Sequence, residues 1–129
     1  MFDGRDPADA ERAIDDWQAG IEARAGQARE LSARLAGLTV RARSPDDLVT
    51  VTVGPAGDLV GLELAEGIRG RPAAETAGEI LATVRTARGR LITAVTEATD
   101  ATIGAGSATG QAVIASYAGS SYAGRLRER

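Results

Sequence analysis

The sequence predicts a one-domain α+β fold: a long helix, a three-stranded antiparallel meander and a second long helix, in the order α-β-β-β-α. Three observations carry this prediction. Leu48 to Leu64 reads LVTVTVGPAGDLVGLEL, in which Val49, Val51 and Val53 alternate with Thr50 and Thr52, the period of a strand buried on one face. Val60, Leu62 and Leu64 repeat the alternation after Gly54-Pro55-Ala56-Gly57, a turn in which Pro55 presets φ and either glycine takes φ > 0. Long amphipathic stretches flank this hairpin on both sides, and a lone hairpin needs such cover to persist in water.

The first flank opens at Asp6-Pro7-Ala8-Asp9, with Asp6 as cap, Pro7 at the first helical position and Asp9 against the positive dipole end. Ile14, Trp17, Ile21, Arg24, Ala28, Leu31, Leu35 and Leu38 then recur at steps of three and four, a heptad seam interrupted at Arg24 and weak at Ala28. Gly37 supplies a stop. A helix from Pro7 to Ala36 is roughly 45 Å long at 1.5 Å per residue. That exceeds what a hairpin covers, so its outer part projects or pairs with another chain.

Leu38, Val40 and Ala42 alternate with Thr39, Arg41 and Arg43, a short first strand with a basic outer face. Ser44-Pro45-Asp46-Asp47 turns the chain into the hairpin, and the paired aspartates are turn chemistry rather than a metal or acid–base site. After the connector Gly67 to Arg71, Pro72 starts the last long helix, with Glu75 and Glu79 in its first turns. Ile80, Leu81, Val84, Leu91, Val95 and Ala98 form its apolar face, and Arg85, Arg88 and Arg90 cluster on its middle turns. The pattern runs out near Gly104. Residues 105–129 read as a flexible Gly/Ser/Ala-rich tail, with a short helix over 111–117, Tyr117 and Tyr122, and a basic end at Arg125, Arg127 and Arg129. Its glycines follow a helix rather than a strand and no Lys-Ser/Thr pair follows them, so they are not a nucleotide loop. The domain therefore spans residues 1–104.

Composition narrows the function. Of the 129 residues 43% are hydrophobic but only 3% aromatic, so small aliphatic side chains do the packing and a second subunit is a natural completion of the core. The absence of cysteine and histidine excludes disulfides, thiol nucleophiles, imidazole bases and the usual zinc ligands. No carboxylates or hydroxyls are grouped at a catalytic spacing. The sequence thus predicts no enzyme, no cofactor and no metal. Net charge is −3 and all fifteen basic residues are arginine, a fork of donors suited to phosphate. Met1-Phe2-Asp3 opens acidic without an apolar h-region and no apolar run reaches membrane-spanning length, so neither a signal peptide nor a membrane anchor is expected.

Asp47-Leu48-Val49-Thr50-Val51-Thr52-Val53 and Gly57-Asp58-Leu59-Val60-Gly61-Leu62-Glu63-Leu64 resemble the hairpin of the YbaB/EbfC family of small bacterial nucleoid-associated proteins, down to the turn glycine before the third strand. The resemblance covers about residues 10 to 100. It implies a tweezer-like homodimer, joined at the sheets, whose long helices project to grip duplex DNA without base specificity, in the cytoplasm at the nucleoid. Carried over by element, it puts DNA contacts at Arg24, Arg29 and Arg34 on the first helix and at Arg85, Arg88 and Arg90 on the last. With the heptad seam, it puts Ile14, Trp17, Ile21, Leu31, Leu35, Val49 and Val51 at the dimer interface.

Two departures from the family pattern point elsewhere. The first helix here is acidic at its start, with Asp3, Asp6, Asp9, Glu11, Asp15 and Asp16, and the Gly/Ser tail has no counterpart in short members. Divergent actinobacterial relatives of this fold are associated with ESX-type specialised secretion, so the second reading is a protein-interaction adaptor with little DNA binding. Its apolar heptad face or tyrosine tail would engage another protein's helix.

Overall fold

The computed structural model describes residues 7–127, with side chains as far as residue 119. Asp3, Asp6 and Arg129 lie outside the described residues, as do the side chains of Tyr122, Arg125 and Arg127. The element order is α1 (Pro7–Ala36), β1 (Val40–Arg43), β2 (Val49–Val53), β3 (Leu59–Leu64), a 3-10 segment (Glu66–Gly70), α2 (Ala73–Ala101) and α3 (Ala108–Arg127). The α+β layout expected from the sequence is the one observed.

Two turns shape the meander. At the first, the Asp47 amide donates to the Ser44 carbonyl at 3.0 Å and the Ser44 hydroxyl accepts from the Val49 amide at 3.0 Å. Asp47 takes φ 60 there, a conformation that a short polar side chain tolerates better than a branched one. At the second, the Gly57 amide donates to the Gly54 carbonyl at 2.9 Å, Pro55 holds the second position, and Gly57 sits at φ 80, where a Cβ would be strained. β1 and β2 pair in the register Val40↔Val53 to Arg43↔Thr50. In β2–β3, Val49 faces Leu64 and Val51 faces Leu62, and a bulge follows, with Thr52 opposite Gly61 and Val53 opposite Leu59. The bulge inserts Val60 as an extra residue. The sheet order is β1-β2-β3, leaving β1 and β3 as edges.

The period-2 pattern assigns the faces. Val40, Ala42, Val49, Val51 and Val53 point to one side and are buried under Val84, Ala87, Leu91 and Val95 of α2. Leu35, Leu38, Ile80, Val113 and Tyr117 pack around this cluster, so both other helices contribute to a core whose fully buried members are all aliphatic. Each buried Val or Leu side chain contributes roughly 1.5–3 kcal/mol. Arg41 and Arg43 occupy the opposite face, in agreement with the basic outer face expected of β1. α2 is longer than the sheet, and the inner part of α1 packs beside it through Leu31.

The greatest difference from expectation lies past Gly104. A mobile tail with a short helix over 111–117 is what the sequence suggests, and the structure instead carries a helix across Ala108–Arg127. Gly104, at φ 88, ends α2 by donating its amide to the Thr99 carbonyl at 2.8 Å, a C-terminal glycine stop. The Ser107 hydroxyl then accepts from the Gly110 amide at 3.0 Å, which caps α3. Among its described side chains Val113 and Tyr117 pack against the core.

Candidate nucleic-acid interface

The arginines of α2 are adjacent in sequence but radiate from the helix. Successive residues turn about 100°, so Arg85 faces solvent opposite the core-facing stripe while Arg88 and Arg90 lie on its two flanks. Half-buried Arg88 donates its Nε–H to the Gly57 carbonyl at 2.9 Å, which ties α2 to the hairpin turn. Exposed Arg90 donates from Nη1 to the carbonyl of Arg41 at 3.1 Å. That bond uses one of five guanidinium N–H donors and leaves the rest free for an anion.

The Arg90 contact ties α2 to the backbone of the β1 edge, while Arg41 and Arg43 project from the other face of that strand. It holds a cation of α2 at the edge strand β1, which carries exposed Arg41 and Arg43. Arg41 and Arg43, two residues apart on one strand face, are about 6.8 Å apart along the strand. Arg41 approaches Glu63 at 3.6 Å, both side chains being well exposed, and such a surface pair holds its members weakly. The available signal was the alternation of arginine with Val40 and Ala42. What was missing was Arg90, 49 residues away in the chain.

The α1 arginines are dispersed. Arg24, Arg29 and Arg34 stand five residues apart, so each is rotated roughly 140° from the last. Arg34 is engaged by Glu30 at 2.9 Å, whereas Arg24 and Arg29 have no ion pair among the described residues. The three do not form one patch.

Of the residues expected at the dimer interface, Val49 and Val51 are fully buried in the chain's own core. They therefore present no surface to another subunit. Leu31 is buried and Leu35 half-buried against α2 and the core. Ile14, Trp17 and Ile21 remain exposed on the outer half of α1. Sequence reading passed over a second apolar surface along β3, where Leu59, Val60, Leu62 and Leu64 are exposed, and Leu81 of α2 is exposed as well. Leu62 and Leu64 share the face of Val51 and Val49, but α2 does not cover them. Leu81 lies on the same flank of α2 as Arg88, away from Arg90 and β1.

A polar clasp fixes the end of the sheet opposite the hairpin turn. Arg71 donates from Nη2 to Asp46 Oδ2 at 2.6 Å and from Nη1 to Glu79. Asp46 Oδ1 accepts from the Ser44 hydroxyl at 2.7 Å and the Leu48 amide at 3.1 Å. The Ser44 hydroxyl, the Arg71 guanidinium and the Leu48 amide, all donating to it, hold the Asp46 carboxyl far below the usual carboxylate range. The Asp46 carboxylate raises the already high pKa of Arg71.

A carboxylate depressed in the folded state adds stability above its unfolded pKa of about 3.9, and loses it as pH falls below that value towards the folded pKa. Asp46→Asn is therefore expected to lower Tm at pH 6. The gap to the parent should narrow steadily between pH 5 and pH 2, as measured by thermal scans monitored by circular dichroism. A gap independent of pH would mean that the Asp46 charge contributes nothing.

A groove of about 330 Å³ between the 3-10 segment and α2 is lined mainly by Ile68, Ala73, Thr76, Ala77 and Ile80, with Arg69 and Arg71 at its rim. Among the described residues no three acids are placed to hold a metal ion, and no helix is long and apolar enough to cross a membrane.

Against known proteins, the sequence model of the YbaB/EbfC DNA-binding family matches residues 13–115, from the outer part of α1 into α3. A search of curated proteins finds no match.

Proposed function

The chain belongs to the YbaB/EbfC DNA-binding family, and from that premise we propose that it binds duplex DNA as a homodimer, through phosphate contacts without a base code. The observation that carries this reading is the basic group at the β1 edge. There the Arg90 guanidinium is tethered to the β1 backbone at the Arg41 carbonyl, with donors to spare, on the α2 side of the edge strand whose outer face carries Arg41 and Arg43. A side chain already held in place loses less entropy on contact with phosphate. Arg85, Arg24 and Arg29 are further exposed cations along the helices, and Arg88 and Arg34 serve the fold and α1. The dimer forms through β3, whose open edge and uncovered leucines suit pairing with a second copy. The setting is the cytoplasm, at the nucleoid.

Such binding releases counterions, with a slope of about −0.9 per phosphate in log K against log salt. If a dimer makes about four contacts, affinity falls roughly a hundredfold between 50 and 200 mM salt. Anisotropy of labelled duplex DNA measures this directly. Arg41→Ala with Arg43→Ala and Arg90→Ala is expected to weaken binding about equally on unrelated sequences and to flatten the salt slope. Arg85→Ala alone removes at most one contact. A salt-independent affinity, or a triple variant that binds as the parent does, would count against the β1 edge as the phosphate site.

The acidic outer half of α1 repels phosphate, so that part of the molecule lies outside this reading.

A further inference from the structure

We propose that the apolar stripe on the outer half of α1, formed by Ile14, Trp17 and Ile21, docks a basic amphipathic helix of another protein. From Pro7 to Arg24 no side chain is buried. Trp17 is 64% exposed, Ile14 55% and Ile21 40%. These residues continue the heptad seam whose inner members Leu31 and Leu35 are packed against the rest of the chain. Among the described residues the seam thus has an occupant at its inner end and none at its outer end. Its spacing of three and four is the register into which a second helix sets its own side chains. A tryptophan at the centre of such a stripe is the residue type that most often anchors an interface.

Charge identifies the occupant. Between Pro7 and Glu22 five acids stand against the single Arg12, which is held by Asp9 at 2.7 Å. Glu11, Asp15, Gln18 and Glu22 follow one another at steps of four, three and four along one flank of the stripe. Glu11, Asp15, Asp16 and Glu22 have no ion pair among the described residues. The dipole at the helix start favours acids only within the first turn, and Glu22 lies four turns further in. A second copy of α1 laid on this stripe would bring two uncompensated acidic segments within the roughly 8 Å over which charges interact at physiological ionic strength. Nucleic acid is repelled for the same reason. A helix with an apolar seam and Lys or Arg on its flanks fills the stripe and neutralises the ridge.

The chain has a single tryptophan, so Trp17 emission reports on this surface directly. The probes are two synthetic peptides with the same leucine heptad seam, one flanked by lysine and arginine and one by glutamate. Titration of the full chain with the basic peptide is expected to shift Trp17 emission to the blue with saturation, and the acidic peptide to leave it unchanged. Glu11→Arg with Asp15→Arg and Glu22→Arg should weaken the basic peptide at least about tenfold and admit the acidic one, with helix content by circular dichroism unchanged. Three outcomes would overturn the proposal: no shift with either peptide, equal shifts with both, or a blue shift that grows with chain concentration in the absence of peptide. The last would assign the stripe to a second copy.

Discussion

Leu62→Asp combined with Leu64→Asp is expected to give a particle of one-chain mass in sedimentation at micromolar concentration, where the parent is expected to have the mass of two. Leu62 and Leu64 are 44% and 41% exposed in the single chain, on a strand whose outer edge pairs with no other strand among the described residues. Substitution there leaves the core under α2 intact, and far-UV circular dichroism should be unchanged. In a symmetric pair the same patch meets itself. Each aspartate would lose water in an apolar contact and stand near its own symmetry mate, which is costly for charges without partners. DNA affinity should fall with the dimer, because two linked sites gain about a hundredfold or more over one. A variant that stays two chains in mass, or a parent that sediments as one, would remove β3 as the dimer contact. Affinity that survives separation would remove the need for a dimer.

Leu91→Ala is expected to destabilise the fold by about 3 kcal/mol, within the range for deletion of a packed leucine. Leu91 is 2% exposed and belongs to the cluster of Val40, Ala42, Val49, Val51 and Val53. It lies under the hairpin turn, and a Cβ on Gly57 would come within 3.8 Å of its side chain. A domain of this size has roughly 5–15 kcal/mol in all, so the loss is a large share. The control is Leu81→Ala on the same helix. Leu81 is 57% exposed, and its loss should change stability by less than about 0.5 kcal/mol in the separated chain. Urea unfolding at fixed protein concentration measures both, on the Leu62→Asp, Leu64→Asp background so that dimer linkage does not enter. Similar values for the two leucines would mean that α2 does not cover the sheet as described.

Much of the fold was legible because it rests on local periodicities. Steps of three and four from Ile14 to Leu38, closed by Gly37, gave α1 its observed span of Pro7–Ala36. The Val-Thr alternation gave β2, and Gly54-Pro55-Ala56-Gly57 gave the turn, since each residue there has a conformational reason of its own. α3 was less legible. Gly104 and Ser107 are a stop and a cap when seen together, but a helix of small residues that docks through Val113 and Tyr117 has no strong period to read.

The candidate site was the least legible part. Arginines close together in sequence, at 85, 88 and 90, diverge around a helix, while Arg90 bonds the Arg41 carbonyl 49 residues away. Val49 and Val51 show the same limit from the other side: alternation marks a strand's apolar face but does not say whether a helix of the same chain or another subunit covers it.

The sequence by itself determined the element order, the strand faces, the two turns and the acidic start of α1, because these follow from side-chain period, backbone preference and charge along a short stretch. Only the tertiary structure decided that α2 buries Val49 and Val51, that β3 keeps its leucines uncovered, and that Arg90 bonds the β1 backbone at Arg41 while Arg71 joins Asp46 and Glu79. Those outcomes depend on where a helix of fixed pitch crosses a sheet of fixed spacing, a geometry that no single stretch of the chain contains.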